Sequence, residues 1–387
     1  MKKLTKISAV ISAIILAFPL FCCGKNGACA ENGGGGGCAS SPHGEATDFY
    51  AMNTAIHAEV ADKPFVSGEE EKLRELFSSL EKEFSASEKD SFVYALNGAA
   101  AGEETEISER GKELLRLSER VFAVTGGAFD PTVLPLSELW GFYPAFPVAN
   151  FTPPTTERVS EILNSGNIGL GNIMLSENGL TVSKKTDGTR IEFGGVLKGF
   201  AADEAGKIFL SNCHESGYVS AGRSSLFILS STSLGVRHPR KSGENLLTVS
   251  INGRKNFSVS TSGDYEKVYS YEGQNFCHVI DPETGKPVST GVVQVTIIGG
   301  GNKFCGAFLD AATTALMTKE FSSEAGAKSP LATAINELLS APELEGAIIF
   351  VASITGENGE NEEKTLITNA ESGTYTLLDK NFSVFKI

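Results

Sequence analysis

Strand-like and helix-like segments follow one another in this chain without a fixed rhythm. Polar and apolar residues alternate over residues 51–60, as they do in a strand with one buried face. Apolar residues recur at helical spacing over 69–84 and 108–125, and shorter helices are indicated at 201–210 and 310–317. Because no regular strand–helix–strand repeat is present, the sequence predicts an α+β fold of mixed β-sheets with packed helices.

The first 23 residues have the architecture of a signal peptide for export. Three lysines among the first six residues precede an apolar run at 7–21, which is too short for a stable transmembrane helix. The run ends in Leu20-Phe21-Cys22-Cys23, which resembles a lipoprotein signal-peptide site. We therefore expect an exported protein that is anchored to a bacterial membrane through a lipid on Cys23, or on Cys22, and that faces the periplasm or the outside. Ordinary cleavage is the alternative.

Residues 24–47 differ in composition from the rest of the chain. They include five consecutive glycines at 33–37 and almost no apolar residues, so they cannot form a packed core. We predict a flexible tether over 24–47 and one folded domain over 48–387. No C-x-x-C pair occurs in the folded part, which argues against a zinc site.

The chain is strongly acidic. It carries 33 Lys and Arg against 47 Asp and Glu, a formal net charge of −14. Binding to nucleic acid requires a basic surface, so this balance argues against a nucleic-acid partner. An anionic substrate would have to be held by local groups, such as a metal ion, a well-placed lysine or the N-terminus of a helix.

Asp310 and Thr314 lie four residues apart in a segment that predicts a helix, so their oxygens face the same side. Carboxylate, hydroxyl and carbonyl oxygens are the ligands that Mg²⁺ prefers, and Mg²⁺ completes its octahedron with water and substrate phosphates. The pair therefore indicates a magnesium site. An ordinary alanine-rich helix with a surface aspartate is the alternative for this segment taken alone.

Two glycine-rich turns could bring the backbone close to a ligand. In the segment 127–133, Gly-Ala-Phe-Asp-Pro-Thr-Val, Phe129 could face an aromatic ligand. In the segment 191–201, the Gly194-Gly195 amides precede a helix and could bind an anion, with Lys198 as a point charge for a phosphate. The alternatives are a helix stop with a core phenylalanine and a plain strand-to-helix turn.

Two further turns carry polar side chains. Thr261-Ser262-Gly263-Asp264-Tyr265 presents the carboxylate of Asp264, either directly to a ligand or to its own turn. The segment 278–287, His-Val-Ile-Asp-Pro-Glu-Thr-Gly-Lys-Pro, is a strong turn signal. His278 could act as a general base, or it could fix the turn through its ring nitrogens.

Taken in their order along the chain, these five motifs resemble the FAD:protein FMN transferase family, also called ApbE. The resemblance runs from about Met52 to Leu316 and implies an ApbE-like catalytic domain that uses FAD as substrate and Mg²⁺ as cofactor. It implies metal ligation by Gly195, Asp310 and Thr314, and catalytic roles for Asp310, Lys198 and Asp264. It implies contacts to the flavin nucleotide from Met52, Ser87, Ala128, Phe129, Asp130, Glu192, Lys198 and Ile280.

The implied reaction releases AMP and passes the FMN phosphoryl group to a Thr or Ser hydroxyl of an exported redox protein. Two alternatives stay open: an FAD pyrophosphatase that uses water as acceptor, and a non-catalytic exported flavin-binding protein. The chain departs from the family pattern at Asn53, Glu192, Gly195 and Thr313, and Ser87 stands where an aromatic residue is usual. A missing ring at Ser87 would leave room for water or for a second metal, which favours the pyrophosphatase.

Overall fold

The computed structural model describes residues 44–144, 146–357 and 360–387. The predicted signal peptide, the lipidated cysteine and nearly all of the predicted tether lie outside these residues. The first strand begins at Glu45, three residues before the predicted start of the folded part at 48. The reason is that Thr47 is buried and hydrogen-bonds to Glu70. In the described part of the chain, no helix is long and apolar enough to cross a membrane.

The described residues form helices and strands in mixed order. The helices are α1 (Glu69–Phe84), α2 (Phe92–Gly98), α3 (Glu109–Val124), α4 (Leu134–Leu139), α5 (Thr156–Asn164), α6 (Leu197–Ser211), α7 (Gly306–Met317) and α8 (Pro330–Leu339). The strands are β1 (Glu45–Ala51), β2 (Thr54–Val60), β3 (Thr105–Glu106), β4 (Ile173–Leu175), β5 (Thr181–Lys184), β6 (Gly217–Ala221), β7 (Ser225–Ile228), β8 (Thr232–Arg237), β9 (Asn245–Ile251), β10 (Phe257–Gly263), β11 (Val268–Tyr271), β12 (Gln274–Cys277), β13 (Val292–Ile298), β14 (Ile348–Glu357), β15 (Glu360–Thr368), β16 (Tyr375–Leu377) and β17 (Ser383–Lys386).

The main sheet has the strand order β1-β2-β6-β7-β10-β13-β14-β15-β17. Its neighbouring strands are antiparallel except β15 and β17, which are parallel. All seven residues of β13 are buried, so this strand is covered on both faces. Smaller sheets are formed by β11-β12, by β16-β9-β8 and by β3-β5-β4. The prediction of an α+β fold with mixed sheets is confirmed.

Helices α6 and α7 lie against each other and against the centre of the main sheet, where both contact β7 and β10. On their other side they are covered by α1 and α3. Eleven of the twelve residues of α7 are buried, as expected for a helix that is apolar on all sides. Packing from both directions therefore fixes where the N-terminal turns of these two helices meet.

Both helices begin four residues earlier than predicted. α6 starts at Leu197 rather than 201, and α7 starts at Gly306 rather than 310. Glycines in the first turn of each helix conceal the helical pattern, because glycine has a low helix propensity and no side chain to mark a face. The earlier starts place Lys198 in the first turn of α6 and Asp310 one turn inside α7.

Candidate active site

Asp310 is a buried carboxylate near the start of α7. Its residue is only 3% exposed, and its Oδ2 accepts a hydrogen bond from the Gly199 amide of α6 at 3.1 Å. The ammonium of Lys198 lies 3.7 Å from the same oxygen. Burial raises the pKa of Asp310, and the positive charge of Lys198 opposes that rise. The negative charge here is only partly compensated by the protein, so a cation would stabilise it.

Several hydroxyl groups lie near Asp310. Thr314 Oγ1 donates to the Asp310 carbonyl oxygen at 3.1 Å and lies 3.3 Å from the hydroxyl of Ser262 on β10. The Ser225 hydroxyl at the start of β7 lowers the pKa of Asp310. It is buried and forms no hydrogen bond of normal geometry with the described residues. Sequence reasoning did not single out Ser225, because only the sheet brings β7 next to α7.

Gly195 packs between Phe129 and Thr314. A Cβ at this position would lie 3.0 Å from Phe129 Cε2 and 3.8 Å from Thr314 Oγ1. The three predicted metal ligands, Gly195, Asp310 and Thr314, therefore meet in one place although they come from segments more than a hundred residues apart. Phe129 is 5% exposed and closes one side of this place.

The donor set fits a hard cation that needs few protein ligands. It offers one buried carboxylate, hydroxyl groups and a backbone carbonyl, which are Mg²⁺ ligands rather than zinc ligands. Over the described ranges, no group of three or more His, Cys, Asp and Glu side chains is arranged to hold a metal ion. Such a site leaves coordination positions to water and to substrate phosphates.

Lys198 interacts electrostatically with His278 and Glu192 as well as with Asp310. Lys198 donates to the Gly194 carbonyl at 3.0 Å. Burial lowers the pKa of His278 to about 3, and the charges of Lys267 and Lys198 add to that effect. Burial raises the pKa of Glu192, with Lys267 and Lys198 opposing. Two positive charges therefore act on His278 and Glu192, and one of them, Lys198, lies beside Asp310. Lys267 was missed by sequence reasoning, although it follows the Asp264 turn by three residues.

His278 is neutral in this setting. Its Nδ1 is buried and has no hydrogen-bond partner among the described residues. Because Nδ1 has no partner in the described part of the chain, the two ring nitrogens do not fix the turn together, and the general-base role stays a prediction. The turn is instead held by Asp281, whose carboxylate accepts from the Glu283 amide at 3.0 Å and from the Thr284 hydroxyl at 2.9 Å.

The Gly194 and Gly195 amides were predicted to bind an anion, but the Gly194 amide already forms a hydrogen bond within the protein. The Gly194 amide donates to Glu192 Oε2 at 3.1 Å, so it is not free to bind an anion unless Glu192 moves. The anion-binding potential of this turn therefore depends on the first turn of α6 and on Lys198. Contact between Glu192 and the nucleotide stays a prediction.

Asp130 supports its own turn. Its Oδ1 accepts from the Thr132 amide at 2.8 Å and from the Thr132 hydroxyl at 2.6 Å, which caps a short 3₁₀-helix at Pro131–Val133. Burial raises the pKa of Asp130, and these bonds oppose the rise. The local bonds explain why an aspartate follows Phe129. Nucleotide contacts by Ala128, Phe129 and Asp130 stay predictions.

Ile280 belongs to a separate aromatic cluster. It packs with Trp140 and Tyr269, and the Trp140 indole donates to the Gly285 carbonyl at 2.8 Å, which joins the end of α4 to the turn segment 278–287. A cleft of about 440 Å³ opens beside this cluster and is lined in part by Trp140, Phe276 and Lys286. None of the predicted metal ligands lines this cleft, so cavity size alone would not locate the site.

Met52 occupies the tight turn between β1 and β2. It and Asn53 both have positive φ, 52° and 55°, as a two-residue hairpin turn requires. The end of this hairpin lies against the β6–β7 turn, because a Cβ at Gly222 would meet Thr54 Oγ1 at 2.5 Å. The hairpin therefore approaches the strand that carries Ser225, consistent with the prediction that Met52 lies near the ligand.

Asp264 forms an ion pair. Its two oxygens accept from Arg240 Nη1 and Nη2 at 2.6 and 2.7 Å, a bidentate pair that sequence reasoning did not foresee. These described bonds join Asp264 to Arg240 and not to Asp310 or Thr314. Its predicted catalytic role is untested by this geometry, which gives Asp264 a clear structural partner.

Ser87 has an aromatic neighbour. The Tyr143 side chain lies beside Ser87 and near Glu192, and burial raises the pKa of its hydroxyl. That hydroxyl makes no hydrogen bond of normal geometry with the described residues. The sequence indicated that an aromatic ring is missing at Ser87, but the ring of Tyr143 lies beside that position. This weakens the argument that Ser87 opens space for water.

Comparison with known proteins identifies the family of this chain. The model of the ApbE family matches residues 52–331. The FAD:protein FMN transferase of Haemophilus influenzae is 27% identical over 64% of this chain and 73% of that protein. The FAD:protein FMN transferase of Escherichia coli is 26% identical over 59% of this chain and 65% of that protein.

Solved structures give the same result. The ApbE protein of Thermotoga maritima superposes with a TM-score of 0.68 at 27% identity, covering 80% of this chain and 94% of that one. The flavin transferase ApbE of Vibrio cholerae has the same fold, with a TM-score of 0.67 at 19% identity over 85% and 97% of the two chains. The family model spans well over half of the 387 residues, and the chain therefore belongs to the ApbE family.

Proposed function

We propose that this protein is a Mg²⁺-dependent flavin transferase. It cleaves FAD between its two phosphates, releases AMP and attaches FMN through a phosphoester to a Thr or Ser of an exported redox protein. The observation that carries the proposal is the meeting of Asp310, Thr314 and Gly195 beside Lys198. The named activity of the relatives supports it.

The chain's own residues would divide the work between holding a cation and holding phosphates. Asp310, Thr314 and the Gly195 carbonyl would hold Mg²⁺. When bound, Mg²⁺ neutralises the charge that grows on the phosphate oxygens as the P–O–P bond breaks. Lys198 lies at the positive end of α6, where it can exchange its bond to the Gly194 carbonyl for one to a phosphate oxygen.

His278 is the candidate acceptor for the proton of the attacking hydroxyl. Its Nδ1 has no partner among residues 44–144, 146–357 and 360–387, so the ring can accept a proton there. In the free protein, burial and two lysines hold its pKa low. Bound phosphates would offset the lysine charges and raise that pKa, which makes the ring a better base when substrate is present.

The experiment is to measure AMP release from FAD by the purified chain with Mg²⁺, with and without a co-expressed acceptor protein. Asp310→Ala is expected to reduce AMP release at least a hundredfold, because it removes the one carboxylate of the site. Glu113→Ala, a change on the exposed side of α3, is the matched control and should keep full activity.

Mass spectrometry of the acceptor identifies where the FMN goes. A covalent FMN adduct on a Thr or Ser supports the transferase, whereas FMN found only in solution supports the pyrophosphatase. If the wild-type chain leaves FAD intact under both conditions, the catalytic proposal is wrong and a flavin-binding role replaces it.

We also propose that the protein is exported and held at a bacterial membrane by a lipid on Cys23, or on Cys22. The support is the basic start, the short apolar run and the Leu20-Phe21-Cys22-Cys23 string. The glycine-rich residues 24–44, which precede β1, would then give the folded domain reach away from the membrane surface.

A further inference from the structure

Helices α6 and α7 hold each other through a reciprocal pair of hydrogen bonds. The Gly199 amide of α6 donates to Asp310 Oδ2 of α7 at 3.1 Å. The Gly306 amide of α7 donates to Asp203 Oδ2 of α6 at 2.7 Å. In each helix the aspartate follows its own glycine by four residues, so both helices use the same device. One of these two aspartates is the proposed metal ligand, and the other has no assigned role.

The crossing requires glycine on both sides. A Cβ at Gly199 would lie 2.1 Å from the Gly306 carbonyl oxygen, and a Cβ at Gly306 would lie 2.6 Å from the Gly199 carbonyl oxygen. The two backbones are therefore in direct contact at the point where the hydrogen bonds form. Any change in how Asp203 holds Gly306 must move the first turn of α7 against α6.

Asp203 is a buried carboxylate whose two oxygens both accept hydrogen bonds. It is 4% exposed, and its Oδ1 accepts a second hydrogen bond, from the Ser258 hydroxyl of β10, at 2.6 Å. A buried carboxylate destabilises a fold unless its bonds compensate for lost hydration. Here both oxygens are used, and together they tie the start of α7 to α6 and to the main sheet.

We propose that Asp203 is a positioning residue for the metal site, acting on Asp310 through the Gly306 amide. Gly306 lies one helical turn before Asp310, so fixing Gly306 fixes the height and rotation of Asp310 beside the Gly199 amide. The inference rests on the proposed function, because it assumes that Asp310 ligates Mg²⁺. Asp203 itself touches neither the metal ligands nor the space beside them in the described contacts.

The test compares Asp203→Ala with Asp203→Asn in the full chain. Asparagine can still accept from the Gly306 amide through its oxygen while its NH₂ donates to Ser258, whereas alanine leaves that amide unpaired. Mg²⁺ alone is titrated by calorimetry, and the Mg²⁺ dependence of AMP release is measured separately. For Asp203→Ala we expect a Kd for Mg²⁺ raised tenfold or more, with kcat at saturating Mg²⁺ within about threefold. For Asp203→Asn the Kd should stay within about threefold.

Thr368→Val is the matched control. Thr368 is also fully buried, and its hydroxyl accepts from the Ala370 amide at 3.0 Å, but it lies on β15, near the far edge of the main sheet. This variant removes a buried acceptor in the same way and should bind Mg²⁺ like the wild type. It separates general loss of stability from loss of positioning.

The outcomes are distinguishable. Wild-type protein that binds no Mg²⁺ would refute the proposed function and this inference with it. If the wild type binds Mg²⁺ and folded Asp203→Ala binds it equally well, the inference fails and the proposed function stands. If Asp203→Ala does not fold, Asp203→Leu decides, because leucine fills the space of the carboxylate side chain but offers the Gly306 amide no acceptor and leaves the glycine crossing intact. It should weaken Mg²⁺ binding tenfold, and wild-type affinity would overturn the inference.

Discussion

Three aspartates that the motifs present in similar ways have different surroundings in the fold. Asp130 caps its own turn, Asp264 is paired with Arg240, and Asp310 is buried against the Gly199 amide. The motif strings named all three but could not rank them, because a carboxylate's role depends on which donors surround it. Of these three carboxylates, Asp310 is the one whose buried negative charge a bound cation would still stabilise.

The positive charge of Lys267 is expected to lower the pKa of His278. Replacing Lys267 with glutamine removes one of the two positive charges that lower the pKa of His278, so that pKa should rise. It should stay below the usual value of about 6.5, because burial is the largest cause. An NMR titration of the histidine ring measures the change, and the KM for FAD should rise several-fold. Lys185→Gln, at an exposed position away from the site, should change neither.

We expect the free energy of unfolding of the protein to depend on pH through the carboxyl group of Asp203. Burial raises its pKa to about 7, with Glu204 adding to the rise and Lys207 opposing it, and the Cys305 thiol is a further titratable neighbour. Between about pH 4 and pH 7 the folded chain therefore binds a proton that the unfolded chain releases, so the stability contribution of Asp203 falls as pH rises.

Asp203→Asn removes this titration. Its free energy of unfolding relative to wild type should therefore increase on going from about pH 5 to pH 8, by on the order of 1 to a few kcal/mol. Urea unfolding at both pH values measures the difference. A difference that is the same at both values would show that Asp203 keeps its charge throughout.

At the level of elements, the long amphipathic helices were the most predictable. The apolar spacing over 69–84 matches α1, and the range predicted at 108–125 matches α3, which Ser108 caps. The starts of α6 and α7 were not predictable, because their first turns are shaped by contact between the two helices rather than by side-chain pattern. Gly199 and Gly306 look like ordinary turn residues in the sequence and act as the contact surface in the fold.

Gly199→Ala is expected to destabilise the fold. Alanine normally favours a helix over glycine, but here its methyl group would meet the Gly306 carbonyl oxygen at 2.1 Å. The free energy of unfolding should fall by about 2–3 kcal/mol or more, measured by urea denaturation. Gly98→Ala, at the end of α2 where a Cβ would meet nothing within 4 Å, should change it by less than about 1 kcal/mol. Equal effects of the two changes would contradict the close crossing.

At the level of the whole molecule, the main sheet and the α6–α7 layer bring distant motifs together. Residues at 129, 195, 225, 262 and 310–314 converge at one end of the helix pair. Their order along the chain identified the family, but their distances depend on the antiparallel order β7-β10-β13. The acidic balance of the chain is consistent with a site whose positive charge is local, in Lys198 and Lys267.

The membrane anchor can be tested in the whole protein. Cys23→Ala is expected to lose incorporation of a radiolabelled fatty acid and to move the protein to the soluble fraction, with AMP release unchanged. Cys213→Ala, which removes an exposed thiol of the folded part, should keep the label. A label that persists in Cys23→Ala assigns the lipid to Cys22. A label that persists when Cys22 and Cys23 are both replaced by alanine rules out a lipid anchor on either cysteine.

The sequence by itself determined the α+β class, the family and the residue types of the proposed hard-cation site, because these follow from local periodicity and from short strings of fixed order. Only the tertiary structure decided which donors reach Asp310, that Tyr143 stands beside Ser87, and that Asp203 mirrors Asp310 across a glycine crossing. The physical reason is that burial and hydrogen bonding join residues across more than a hundred positions, and no local pattern records which backbone amide a carboxylate will meet.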